Sequence, residues 1–209
     1  MKKLESSLTN MVLVLTGVAV IMGGILALVN HMTEGPINAQ KAKTLADGIK
    51  TVMCVNDITV SRTDTVKQND AKGKELTYII YQTQDAQGKD LGAAVESTTG
   101  GFGGDLKVLV GFDSEGNILG YTLLEHAETP GLGAKADKWF QKGEKGDIIG
   151  KNLKEPLTVS KDGGQVDAIT ASTITSRAFL LAVNRAYNAY KNIPATDAET
   201  GATKQVKEE

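Results

Sequence analysis

From Ser6 to Thr33 the chain contains no Asp, Glu, Lys or Arg, and the stretch Met11 to Val29 is almost wholly apolar. As a helix that inner stretch is about 28 Å long at ~1.5 Å per residue, which matches the hydrocarbon thickness of a bilayer. A cleaved signal peptide has a shorter apolar region, and Leu26-Ala27-Leu28-Val29-Asn30 offers no clean small-x-small cleavage site. The pattern therefore predicts a retained single-pass anchor, with residues 1–33 forming the N-terminus and the membrane span. Lys2 and Lys3 precede the apolar run, which predicts an N-terminus inside and the remainder of the chain on the extracytoplasmic side. Gly17, Gly23 and Gly24 read first as ordinary membrane-helix glycines, with close approach of a neighbouring helix as the other use.

Beyond the anchor the rhythm changes. Pro36 is expected to mark a turn, after which Ile37, Leu45, Ile49, Val52 and Met53 recur as in an amphipathic helix over residues 37–55. Residues 58–71 are polar and ambiguous. Alternation then predicts strands at Leu76 to Gln82, Leu91 to Glu96, Leu106 to Phe112 and Ile118 to Glu125. Asp113-Ser114-Glu115-Gly116-Asn117 is a turn sequence joining the last two into a hairpin. A short helix is expected around Ala136 to Gln141, an extended segment over Gln165 to Thr170, and a helix from Ile174 to about Lys191. In that last helix Ile174, Ala178, Leu181, Ala182, Ala186 and Tyr190 share one face. The tail 193–209 has no apolar periodicity and is expected to be disordered. Strands followed by a closing helix predict an α+β fold with a mainly antiparallel sheet and flanking helices over residues 34–192.

Composition narrows the function. The 23 basic and 25 acidic side chains are interspersed, with no basic stripe of the kind that binds nucleic acid. His31, His126 and the single Cys54 are too few to build a zinc, haem or iron–sulfur centre alone. Cys54 reads as a small buried apolar side chain. His126 reads as a support for the loop that follows it, and Trp139 and Phe140 read as core.

The segment richest in chemistry is Val166-Asp167-Ala168-Ile169-Thr170-Ala171-Ser172-Thr173-Ile174-Thr175-Ser176-Arg177. It brings small hydroxyl residues to the start of a helix, where unpaired N–H groups and the positive dipole end suit a phosphate. Ordinary capping by Ser172 or Thr173 accounts for the same residues, so the physics alone leaves both readings open.

This segment resembles the flavinylation motif of the FMN-binding domain family: Asp, two residues, Thr or Ser, Gly, Ala, Thr. Thr99-Gly100-Gly101-Phe102-Gly103-Gly104-Asp105 resembles the family's glycine-aromatic-glycine loop. Glu128-Thr129-Pro130-Gly131-Leu132-Gly133 resembles its Glu-Thr-Pro-Gly-Leu-Gly segment. Within the family the resemblance extends to G subunits of Rnf ion-translocating electron-transport complexes and C subunits of sodium-pumping NADH:quinone reductases, and covers residues 1–192. The compact size and the opening Lys-Leu-Glu-Ser-Ser favour the former.

The resemblance implies an FMN joined by a phosphoester to Thr173, attached by a separate flavin transferase that uses FAD. It also implies an electron-transfer subunit with no independent turnover, working beside other subunits of an oxidoreductase in a bacterial cytoplasmic membrane. Thr170, Ala171, Ser172, Ile174 and Thr175 are then expected at the phosphate end of the flavin. Glu128, Thr129, Leu132 and Gly133 are expected beside the ring, with Phe102 and Gly103 close by. For Asp167 two readings stand, positioning the motif for the transferase or capping the helix. Two positions depart from the family pattern: Ala171 stands where it has Gly, and Ser172 where it has Ala. The tail segment Asp197-Ala198-Glu199-Thr200-Gly201-Ala202-Thr203 matches the short pattern literally, but it lacks a following helix and a core to receive a flavin. A cofactor-free scaffold and a stand-alone flavoprotein are the rival functions; the first leaves the three motifs unexplained.

Overall fold

The computed structural model describes residues 8–69, 73 and 75–193. Lys2, Lys3 and the tail from residue 194, with Thr203, lie outside the described residues. The chain divides into two units between Thr44 and Leu45. Up to Thr44 the described residues are one helix, whose apolar stretch is wholly exposed and is long and apolar enough to cross a membrane. This helix, α1, covers Leu8–Met53 and contains Pro36. The turn expected at Pro36 is thus absent. Proline gives up one backbone hydrogen bond, a loss of about 3 kcal/mol in a helix interior. The run Ala39-Gln40-Lys41-Ala42-Lys43, rich in strong helix formers, continues the helix past it.

The second unit is built on a five-stranded antiparallel meander, β1 (Ile58–Asn69), β2 (Glu75–Asp85), β3 (Asp90–Gly100), β4 (Asp105–Phe112) and β5 (Ile118–His126), in the spatial order of the sequence. The segment read as ambiguous is strand β1. As an edge strand it buries little, so its polar alternation carries only a weak signal. The predicted β4–β5 hairpin forms, and its turn is fastened by Asp113. That carboxylate accepts the N–H groups of Gly116 at 2.7 Å and Asn117 at 2.8 Å, and the Asn117 amide at 2.7 Å.

Both faces of the sheet are covered, and alternation divides its side chains between them. Ile80, Val95, Val108 and Val110 pack against α3 (Thr173–Tyr190), together with Phe179, Leu180 and Val183 of that helix. Phe179 sits 4.3 Å from the Phe140 ring and 4.7 Å from the Tyr121 ring, centroid to centroid. The opposite face presents Tyr81, Ala94 and Leu109 to Ile49, Val52 and Met53 at the end of α1. A Cβ at Gly111 would collide with the Val52 carbonyl, so glycine there permits the helix end to rest directly on the sheet.

Between β5 and α3 the chain is mostly irregular, with a 3-10 turn at Gly133–Lys135, a four-residue helix α2 (Ala136–Trp139) and a second 3-10 turn at Ser160–Asp162. The extended segment expected over Gln165 to Thr170 is not a strand. Its regular pairing is one isolated bridge between Val159 and Val166, and the chain then turns into α3. Cys54, expected to be buried, is exposed at the end of α1, where it adopts a φ of 56°. Trp139 is half-buried and Phe140 fully buried, as read from the sequence.

Candidate functional site

Three separate stretches of sequence meet at the first turn of α3. Glu128 brings them together. It is only 5 % exposed. Its Oε1 accepts the N–H groups of Phe102 at 2.7 Å and Gly103 at 3.3 Å, and its Oε2 accepts the Thr175 hydroxyl at 2.7 Å. One carboxylate thus ties the glycine loop after β3, the loop after β5 and the helix N-terminus to one another. Charge-assisted bonds of this kind are about twice as strong as neutral ones. The glycines follow from it, since a Cβ at Gly101 or Gly133 would run into the Glu128 carboxylate. His126 is exposed, and its Nδ1 accepts the Glu128 N–H at 3.3 Å, which supports the loop at its base. The Thr129 carbonyl then accepts the N–H groups of Leu132 at 3.1 Å and Ala134 at 3.3 Å, closing the loop on itself.

The approach to α3 is braced from two directions. The Trp139 indole donates to the Asp167 carbonyl at 2.8 Å, and the Ser176 hydroxyl accepts the Ile169 N–H at 2.9 Å while donating to the Ser172 carbonyl at 2.9 Å. Ala171 is held at φ 61°, in the left-handed region. This is the position at which the family pattern has glycine, and a side chain there costs roughly 1–2 kcal/mol.

Ser172 is the N-cap residue but makes no side-chain capping bond. Asp167 does not cap the helix either; its Oδ1 accepts the Ser160 hydroxyl at 3.0 Å. Thr173, the first residue of α3, is half-exposed, and its Oγ1 accepts a hydrogen bond from Lys161 Nζ at 3.2 Å. Neither hydroxyl is therefore engaged as an ordinary cap, and the first residues of this 18-residue helix line a cavity without a side-chain cap.

That cavity measures about 370 Å3. Phe102, Glu128, Thr129, Leu132 and Gly133 form one side of it, and the contiguous residues Ala171 to Thr175 form the other. Gly103, Asp167 and Thr170, also expected here, do not line it: Gly103 reaches it through Glu128, and Asp167 faces Ser160. Phe102 is 69 % exposed and Leu132 is 42 % exposed. A mouth with two uncovered apolar side chains suits a planar aromatic ring, and the helix N-terminus with an adjacent ammonium suits a phosphate. The donor set thus fits FMN. The volume lies at the small end of the roughly 300–1,000 Å3 of ligand pockets, as expected where part of the ligand stands in solvent. A second cavity of about 450 Å3, lined by Pro130, Gly131, Lys135, Lys138 and Trp139 among others, includes no residue of the α3 turn.

Two features of the site carried no signal in the sequence reading. Lys161 lies twelve residues before Thr173 in a solvent-exposed turn. Arg177 is in the motif segment, but its role depends on a distant partner: it forms a two-pronged ion pair with Asp162, at 2.6 and 2.7 Å. The Asp162 carboxylate raises the pKa of the Arg177 guanidinium above its ordinary value.

The comparisons with known proteins point the same way. The model of the FMN-binding domain matches residues 101–188, a span that contains Phe102, Glu128 and Thr173. The G subunit of the ion-translocating oxidoreductase complex of Vibrio cholerae serotype O1 (strain M66-2) is 33 % identical over 180 residues, covering 83 % of this chain and 86 % of that protein. Its counterpart in Shewanella oneidensis is 34 % identical over 179 residues, with 80 % and 82 % covered, and that of Aliivibrio fischeri (strain MJ11) is 40 % identical over 134 residues, with 60 % and 61 % covered. The crystal structure of Shewanella oneidensis NqrC shares the fold at a TM-score of 0.52 and 17 % identity, over 74 % of this chain and 99 % of that one. With relatives matched over most of their length and the family model spanning the assembled cavity, this chain belongs to the FMN-binding domain family, among the G subunits of ion-translocating oxidoreductase complexes.

Proposed function

We propose that this protein is a membrane-anchored electron-transfer subunit carrying FMN in phosphoester linkage to Thr173. The observation that carries the reading is the half-exposed Thr173 hydroxyl at the uncapped N-terminus of α3, in a cavity that the three motifs build together. Attachment joins Thr173 Oγ to the FMN phosphorus of FAD, breaks the P–O bond of the anhydride, and releases AMP and the hydroxyl proton. A flavin transferase supplies the active site for that step. Ser172 is the neighbouring rival, but at 8 % exposure it is far less open to an incoming enzyme.

When bound, the flavin supplies one- and two-electron chemistry. The residues of this chain hold and position it. The first-turn N–H groups and dipole of α3 receive the phosphate. Glu128 fixes the relation between the glycine loop and α3, so the two walls of the cavity keep a constant separation. Phe102 and Leu132 offer apolar contact to the ring and shield one edge from water. The apolar run of α1 spans the bilayer with its N-terminus inside, which puts the flavin domain on the extracytoplasmic side, where a covalent link prevents loss of the cofactor. The partners are the other subunits of an ion-translocating complex.

Co-expression with a flavin transferase tests the linkage. Wild-type protein should give a fluorescent band after denaturing electrophoresis, and Thr173→Ala protein should be membrane-inserted yet dark. A bright Thr173→Ala band refutes the assignment.

A further inference from the structure

Lys161 is set beside the proposed attachment hydroxyl by a turn whose three side chains each reach a different part of the motif. Ser160 donates to Asp167, Lys161 donates to Thr173, and Asp162 receives both prongs of Arg177. The Arg177–Asp162 pair is only 26 % exposed on each side, which ties the turn to the second turn of α3. Among the described residues Lys161 takes part in no ion pair; Asp162 and Asp167, the carboxylates of its own turn and of the motif, are engaged by Arg177 and Ser160. A lone ammonium donating to a neutral hydroxyl at the surface adds little stability, since exposed contacts of this kind contribute about 0–1 kcal/mol. The arrangement makes better sense for an anion built onto that oxygen.

We propose that Lys161 is the counter-cation of the phosphoester at Thr173 and that it speeds the formation of that ester. The inference rests on the reading of Thr173 given above. Bound to Thr173 Oγ1 through its own N–H, the ammonium leaves the hydroxyl proton pointing away, free to pass to a base of the transferase. As Oγ closes on the phosphorus and the anhydride bond opens, no electrons change hands. Negative charge instead gathers on the phosphoryl oxygens beside Nζ, where a positioned cation is most effective. In the product, a phosphodiester with one negative charge, the same ammonium and the helix N-terminus share it. Asp162 and Arg177 act as positioning residues for Lys161.

The test uses full-length protein made without transferase, solubilised, and then given purified flavin transferase and FAD. The rate of covalent flavin gain on the Thr173 peptide is followed by mass spectrometry and in-gel fluorescence. Lys161→Met should slow attachment about tenfold while leaving the melting temperature of the unmodified protein unchanged; Lys161→Arg should restore most of the rate. This is smaller than the ~100-fold or more for loss of a donor in a water-excluded oxyanion hole, because Lys161 is solvent-exposed. The wild-type advantage should also shrink as salt rises, as screening requires. A Lys161→Met rate equal to wild type, or a deficit independent of salt, overturns the role of Lys161 and leaves Thr173 standing. Absence of flavin on Thr173 in the wild-type reaction overturns both.

Discussion

At the scale of single residues, Ala171 is the position where sequence and structure meet most informatively. The substitution of alanine for the family's glycine raises the question of a left-handed backbone, and the φ of 61° answers it. A non-glycine residue there costs roughly 1–2 kcal/mol, and glycine recovers that at the expense of about 0.4–1 kcal/mol of chain entropy. Ala171→Gly should therefore stabilise the unmodified protein by about 0.5–1 kcal/mol, a gain of about 1–4 °C in melting temperature for a chain of this size. An unchanged or lower melting temperature would mean that the turn is not held as described. Glu128 was legible as a site residue but not in its full role. Sequence order places it in a loop beside the ring, whereas its two oxygens take donors from stretches 26 and 47 residues away. Removing it by Glu128→Ala leaves the Thr175 hydroxyl and the Phe102 N–H without their acceptor. A loss of about 2–4 kcal/mol is expected, with flavin loading impaired even where the protein still folds. Thermal melts paired with flavin stoichiometry separate these two effects.

Among the elements, the strands from β2 to β5 and the helix α3 were readable because alternation and helical spacing persist over many residues. Where burial is weak the pattern fails, as at the exposed edge strand β1. The approach to α3 fails for a different reason. Val166 and Ile169 are buried, so the segment looks like a strand, but past the single bridge at Val166 its backbone turns to side chains, with Trp139 on the Asp167 carbonyl and Ser176 on the Ile169 N–H, rather than to a neighbouring strand. The Lys161–Thr173 contact was illegible because it depends on how the 160–162 turn packs, and no local spacing encodes that. The β4–β5 turn yields a pH prediction. Burial tends to raise the Asp113 pKa, but its hydrogen bonds from Asn117, Gly116 and Glu115 outweigh this and hold it below the ordinary value of 3.8. A carboxyl depressed in the folded state stabilises fully above its unfolded pKa, and the contribution is lost as pH falls through the folded value. Asp113→Asn should thus lower stability at neutral pH and flatten its decline below about pH 4, as acid titration of the melting temperature would record. Equal acid sensitivity in the two proteins would contradict the hydrogen-bonded turn.

The molecule as a whole joins a long apolar helix to an FMN-binding domain. The long apolar helix and the α+β fold were evident from hydrophobic patterning, while the proposed cofactor came from motifs that acquire meaning only when the fold brings them together. The proposed orientation has a direct consequence. Protease added to intact spheroplasts should digest the domain from Leu45 onward, and in inside-out vesicles the domain should be protected. The reverse pattern would overturn the extracytoplasmic placement. The central claim is chemical, and peptide mass spectrometry on the denatured protein, purified after co-expression with its flavin transferase, tests it most directly. The account predicts an FMN phosphoester on the peptide containing Thr173, localised by fragmentation to Thr173 rather than Ser172. Flavin on Thr203 instead, or on no peptide at all, would contradict it.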